Sequence, residues 1–390
     1  MNPLPWLLLP LAAVGGWWLA QRLPQPWKKR KSAHTTPAYF RGLNYLLNEE
    51  PDKAIDVFIE LLEVDSETVE THLALGSLFR RRGEVERAIR IHQNLIARPG
   101  LDDEQRANAL LELGKDYMRA GLYDRAENLF LELKETRQHV RKALENLLVI
   151  YQQEKDWQAC LDVSEALQPL VKEPLGLARA HYYCELAEEA LGRGDDAEAA
   201  GLLERAVVAD PQSIRPRHMQ ARMARERGDC QGAVTLLRRI AENHPDYISE
   251  ILPDLHRCHA LRGDLDELRD YLESFLAERF DIEVVLALVE VLKRTQGEAA
   301  ARRFLTSQME KRPTIRGLLR LMELNAHLPD ASAGRILLGL KDHMARLLAE
   351  RPVYQCTHCG YAASTLHWQC PSCRHWSSLR RKQEPQEKRL

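Results

Sequence analysis

The chain has 390 residues, with 55 Lys and Arg against 57 Asp and Glu and a formal net charge of −2. That balance excludes the broadly basic surface of a general nucleic-acid binder, and eight cysteines in 390 residues are too sparse for a secreted disulfide scaffold. The length exceeds one compact domain, and the wealth of Ala, Leu, Glu and Arg favours helix.

Residues 1–21 read as a membrane anchor. Leu4 to Ala20 carry no charge. Seventeen residues at about 1.5 Å each reach roughly 25 Å, a little short of a ~30 Å hydrocarbon core, and Trp17, Trp18 and Trp27 suit the headgroup level. Positive charge follows the apolar run, at Arg22, Lys28, Lys29, Arg30 and Lys31. A cleaved secretory signal has the reverse order. The asymmetry predicts an uncleaved single span with a periplasmic N-terminus, a basic juxtamembrane linker over 22–34, and the bulk of the chain in the cytoplasm.

From residue 35 to 349 the expected architecture is all-α: a superhelical solenoid of tetratricopeptide repeats. Gly42, Tyr45, Ala54 and Phe58 mark a first copy, Gly76, Phe79, Gly83 and Ala88 a second, and Gly114, Tyr117, Gly121, Ala126 and Phe130 a third. The fourth is weaker, with Leu148, Tyr151, Trp157 and Cys160. Starts near residues 35, 69, 107, 141, 180, 214, 249 and 283 give a period close to the 34 of this repeat class. The spacing predicts that a small residue in each first helix admits Ala from the second, and that a turn Gly takes a left-handed conformation. The marks fade beyond residue 245, and residues 315–349 read as a capping hairpin. Cys160, Cys184, Cys230 and Cys258, scattered singly, read as small buried hydrophobes.

Such arrays are interaction surfaces. Arg80, Arg81, Lys115, Arg119, Arg215, Arg222 and Arg225 fall at first-helix positions that would face a groove, making it basic and suited to an acidic peptide.

The stretch CTHCGYAASTLHWQCPSC carries the one strong chemical signal. Cys356, Cys359, Cys370 and Cys373 form two C-x-x-C pairs ten residues apart. Two such knuckles bring four thiolates to the corners of a tetrahedron, the ligand set of zinc or rubredoxin-type iron, and the residues leave both metals open. A module over 350–376 is too short to fold on apolar burial alone. Tyr354, Tyr361, Trp368 and Trp376 are expected to wrap the metal, and His358, His367 and His375 to stand aside as non-ligands. Residues 377–390 read as a charged tail. Its basic residues are interrupted by Glu384 and Glu387, which speaks against nucleic acid.

No phosphate-loop or H-E-x-x-H motif occurs, and Gly192-Arg193-Gly194 falls in a repeat turn. A four-thiolate site leaves no open position for substrate. The expectation is a protein with no catalytic residues that works as a membrane-anchored scaffold, with a rubredoxin-type electron carrier as the rival reading.

The full order of N-terminal span, basic flank, tetratricopeptide array and paired C-x-x-C knuckles resembles the lipopolysaccharide assembly protein B family of Gram-negative bacteria. That resemblance covers essentially the whole chain. It implies a rubredoxin-like metal module on the four cysteines, with iron or zinc. It implies an inner-membrane adaptor that brings the deacetylase of committed lipid A synthesis to a membrane-anchored FtsH-type protease and works with lipopolysaccharide assembly proteins. Homo-oligomerisation stays open. Unlike true rubredoxins, only ten residues separate the knuckles and Arg374 replaces the usual Gly, which favours a structural ribbon over redox activity.

Overall fold

The computed structural model describes residues 40–42, 44, 45, 48, 50, 53–58, 69–325, 338–344, 346 and 352–382. The expected anchor and linker lie outside these residues. Among the described residues no helix is long and apolar enough to cross a membrane.

The chain divides into two compact units, Met1–Ala143 and Leu144–Leu390. Both are built from antiparallel helical hairpins. The first helices are α1 (Val69–Arg82), α3 (Asp103–Arg119), α5 (Val140–Glu154), α7 (Gly176–Gly192), α9 (Ile214–Glu226), α11 (Ile248–Arg262) and α13 (Ile282–Thr295). Their partners are α2 (Val85–Ile96), α4 (Tyr123–Glu135), α6 (Trp157–Leu167), α8 (Asp196–Ala209), α10 (Cys230–Asn243), α12 (Leu265–Glu278) and α14 (Glu298–Lys311). A further helix, α15 (Ile315–Asn325), follows, and residues 338–344 are helical. The hairpins past residue 245 are as regular as the others although their sequence marks fade. There the core is aliphatic, with Ile248, Ile251, Leu255, Val284, Val285, Leu288, Val289 and Leu305 buried. Burial holds the helices where signature residues are missing.

The turns obey the sequence. Gly83, Gly121, Gly194, Gly228, Gly263 and Gly297 all have positive φ, an angle that a β-carbon penalises. In the weak fourth repeat Lys155 takes this place at φ 59°, at a strain of about 1 kcal/mol. Aspartates then start the second helices. Asp156, Asp195 and Asp229 accept from the backbone N–H groups of Ala159, Glu198 and Gly232, satisfying donors that the helix itself leaves unpaired.

The small-residue positions pack differently from the expected Gly-to-Ala contact. A β-carbon on Gly42 would sit 2.7 Å from the Phe58 ring, on Gly76 2.5 Å from the His92 ring, and on Gly114 2.6 Å from the Phe130 ring. The missing side chain makes room for a ring sixteen residues later, so the pairing is small against aromatic. The second repeat carries His92 in that slot. Its Nδ1 lies 2.5 Å from Asp116 Oδ2 with both side chains buried, so a polar ring is tolerated because it is paired. The four scattered cysteines are buried as expected, and burial pushes the Cys160 and Cys184 thiols up to about 12.

The last described segment is a small ribbon. Strand β1 (Tyr354–Cys356) lies between β2 (Ala362–Ala363) and β3 (Leu379–Arg381), antiparallel to both. Strand β3 falls beyond residue 376, in the stretch that the sequence assigned to the charged tail. Its run of basic residues hid a strand whose register pairs Cys356 with Leu379 and Tyr354 with Arg381.

Candidate metal centre and its dock on the repeats

The two cysteine knuckles close by the same backbone pattern. Gly360 N–H donates to the Cys356 carbonyl at 3.0 Å and Arg374 N–H to the Cys370 carbonyl at 2.8 Å. Cys356 N–H donates to the Tyr361 carbonyl and Cys370 N–H to the His375 carbonyl, at 2.7 and 3.0 Å. Gly360 and Arg374 have φ of 77° and 60°. The second knuckle therefore makes the turn without glycine, and the Arg374 side chain earns its place elsewhere, as described below.

The knuckles bring the four sulfurs of Cys356, Cys359, Cys370 and Cys373 within 4.8 Å of one another. Cys356 Sγ lies 3.6 Å from Cys373 Sγ, and Cys359 Sγ lies 3.7 Å from Cys370 Sγ. A regular tetrahedron with metal–sulfur bonds of ~2.3 Å has sulfurs about 3.8 Å apart. The ligand set therefore fits one tetrahedral ion, zinc or iron alike. The thiol acidities point the same way. The Ser378 hydroxyl beside Cys356 holds that thiol down to about 5, and the Tyr361 N–H lowers Cys359. Cys373, although His375 N–H favours its thiolate, is pushed up to about 12 by burial and by its sulfur neighbours. Four close thiolates need a cation between them.

Tyr354 packs in the ribbon core with Cys356 and Cys370, but the two tryptophans serve the repeats instead. Trp368, Trp376 and Tyr354 meet the repeats at α7, α9 and α11 and at Trp157 and Tyr247 beside them, while Tyr361 is exposed. Trp376 stacks on His181 of α7 with centroids 4.5 Å apart and meets Trp157 and Tyr182 edge-on. Trp368 stacks on Tyr247, with rings 4° from parallel, and the Arg215 guanidinium lies over the Trp368 ring at 5.9 Å from its centroid. A polar frame surrounds the rings. Gln369 donates to Gln152 of α5, which in turn donates to the Tyr182 hydroxyl. His181 Nε2 lies 2.8 Å from Ser377 Oγ. The Gln153 amide, oriented with its oxygen outward, accepts from the Arg374 guanidinium. Tyr354 donates to Glu250 of α11, Arg380 to Tyr247, and Arg381 pairs with Glu283 of α13 at 2.7 Å. The ribbon is thus lashed to α5, α7, α9, α11 and α13 through stacked rings and charge-assisted bonds.

This contact decides the fate of the expected basic groove. Arg215 is 3% exposed, paired with Glu185 and Glu188 at 2.8 and 3.0 Å, and covered by the ribbon. It holds the chain's own module and is out of reach of a partner. Arg225 pairs with Asp254. In the first unit Arg80 pairs with Glu112 and buried Asp116 at 2.5 and 2.7 Å, and Lys115 pairs with Glu112 at 2.6 Å. Burial alone would raise Glu112, but hydrogen bonds from Lys115 and Arg80 outweigh it and hold the carboxyl at about 2. These four cations are neutralised by acids, three of them by acids of a neighbouring repeat. Arg81, Arg119 and Arg222 remain exposed. Trp157, His181, Tyr182, Tyr247, Glu250 and Glu283 were missed by sequence reasoning. The available signal was two tryptophans in a module too small to bury them.

Comparison with known proteins agrees with this geometry. Residues 354–381 match a family described as the rubredoxin metal binding domain, and residues 71–107 and 218–247 match the tetratricopeptide repeat. Over 383 residues the chain is 39% identical to lipopolysaccharide assembly protein B of Escherichia coli strain K12, covering 97% of this chain and 98% of that one. The chain belongs to the lipopolysaccharide assembly protein B family. The Haemophilus influenzae member of this family is 35% identical over 396 residues, with 97% and 98% covered. Among solved structures, the Naa15/Naa10 complex bound to HypK-THB overlays with a TM-score of 0.42 at 14% identity, over 80% of this chain and 50% of that one. The family match places β3 inside the metal-binding module, in agreement with the strand pairing.

Proposed function

We propose that the chain is a non-enzymatic adaptor of the bacterial inner membrane that restrains lipopolysaccharide synthesis. In this reading an N-terminal span holds it at the membrane with the repeats in the cytoplasm. It presents the deacetylase of committed lipid A synthesis to a membrane-anchored FtsH-type protease, and it gathers lipopolysaccharide assembly proteins. The observation that carries the reading is the 39% identity, over 97% of the chain, to a protein named for lipopolysaccharide assembly. The architecture supports it. Helical-hairpin arrays hold partners, tethering raises their local concentration, and the four-thiolate site has no open position for substrate.

Because the ribbon covers much of the first-helix face of the second unit, partners are left the first unit, the outward face of the ribbon and the uncovered part of α9. Exposed Arg81 and Arg119 are the candidates on the first unit, and Arg222 is a third candidate on α9. The test is depletion of the protein in cells with the deacetylase half-life measured, followed by complementation. Full-length chain should restore rapid turnover and a chain lacking residues 1–21 should not. An unchanged half-life on depletion refutes the adaptor reading, and full rescue by the truncated chain refutes the anchoring.

A further inference from the structure

The ribbon carries a second constellation of metal-binding atoms beside the four-thiolate cluster. Ligand atoms of His358, Cys373 and His375 lie within 4.8 Å of one another. The two imidazoles stack with centroids 3.6 Å apart and planes 20° from parallel. Both histidines are exposed and Cys373 is half-buried.

The hydrogen bonding favours coordination. His375 Nδ1 lies 3.0 Å from the Cys373 carbonyl oxygen. A carbonyl only accepts, so Nδ1 donates to it, and Nε2 is the ring nitrogen outside that bond. Fixing a ligating imidazole through a carbonyl on its other nitrogen is how metal sites orient histidine. His358 is anchored by its own N–H, which lies 3.4 Å from Cys356 Sγ. The neighbouring cations are drawn off towards the repeats, Arg374 by Gln153 and Arg380 by Tyr247.

We infer that His358, His375 and the Cys373 thiolate form a second, open metal-binding position for a borderline divalent ion such as zinc or cobalt, with the Cys373 sulfur bridging to the four-thiolate centre. Three ligands at 2.0–2.3 Å from an ion stand about 3.3–3.8 Å apart, so closure asks for roughly 1 Å of movement. Imidazole lone pairs lie in the ring plane, so binding unstacks the two rings. Exposed side chains make that rotation readily. The fourth position is left to water or to an outside ligand, unlike the closed four-thiolate site.

The experiment is zinc and cobalt loading of the full-length chain in detergent, with metal counted per chain after equilibrium dialysis. Wild-type protein should take up two ions per chain, and the exposed double variant His358→Ala/His375→Ala should take up one while keeping the thiolate-to-cobalt absorption of the first site. Imidazole nitrogen resonances of His375 in the wild type should shift on the second equivalent only. One ion per chain in the wild type, two in the double variant, or histidine resonances unmoved by the second equivalent each overturn the inference.

Discussion

Trp376 of the metal ribbon lies face-on against His181 of α7, 195 positions away in sequence, with centroids 4.5 Å apart and planes 15° from parallel. This stack joins the rubredoxin-like module to the helical repeats, and its consequences are measurable.

Trp376→Ala should loosen the ribbon from the repeats without emptying the metal site, because its ring partners His181, Trp157 and Tyr182 all belong to the repeats. Trp376 is half-buried, so its removal should cost less than the roughly 3–5 kcal/mol of a fully buried tryptophan. The expected outcome is faster hydrogen exchange around His181 on α7 and across residues 352–382, with metal content unchanged. Metal loss in step with undocking would show the two to be one unit.

Loss of metal should act in the other direction. Cys370→Ser leaves three thiolates at a site whose folding draws on the ion. Residues 352–382 should lose protection in hydrogen exchange, and Trp368 and Trp376 fluorescence should move to that of exposed indole. The hairpins α9 to α14, with their own aliphatic core, should keep their helical circular dichroism.

Acid should weaken the dock through His181. Burial first, and then the Arg215 charge, push this imidazole down to about 3. An unfolded histidine titrates near 6.5. Between these values the unfolded chain binds the extra proton, so stability is full above pH 6.5 and falls as pH drops towards 3, by up to about 1.4 kcal/mol per pH unit. Urea midpoints followed by tryptophan fluorescence at pH 7.5 and 5 should differ in the wild type and differ less in His181→Gln. Equal slopes in the two proteins would remove His181 as the cause.

Gly76→Ala should destabilise the first unit by about 1–3 kcal/mol, as overpacking does. The new methyl would meet the His92 ring at 2.5 Å, and His92 cannot retreat without leaving buried Asp116. His92→Phe should lower the penalty little, since Phe58 and Phe130 fill the same slot against glycine.

Lys155→Gly should stabilise the fourth repeat by about 0.5–1 kcal/mol, because it relieves a left-handed backbone in a residue with a β-carbon. Thermal denaturation checks the sign. Destabilisation would mean that the greater freedom of glycine in the unfolded chain outweighs the strain.

The repeats and the cysteine knuckles were legible in the sequence because both rest on local rules. A turn that needs positive φ selects Gly83 or Gly121, a close helix pair selects Gly76 or Gly114, and a tetrahedral thiolate site selects paired C-x-x-C. Each is set within one repeat or one knuckle. The partners of Trp368, Trp376, Arg215 and Arg381 were not legible, because they lie between about 30 and 220 residues away along the chain. No periodicity encodes which surface a docked module covers. An exposed arginine on a helix face and one buried under a tryptophan follow the same pattern in sequence. Only the packing of the ribbon across five hairpins brings Arg215 against Glu185 and Trp368, and burial there turns a candidate partner contact into part of the protein's own scaffold.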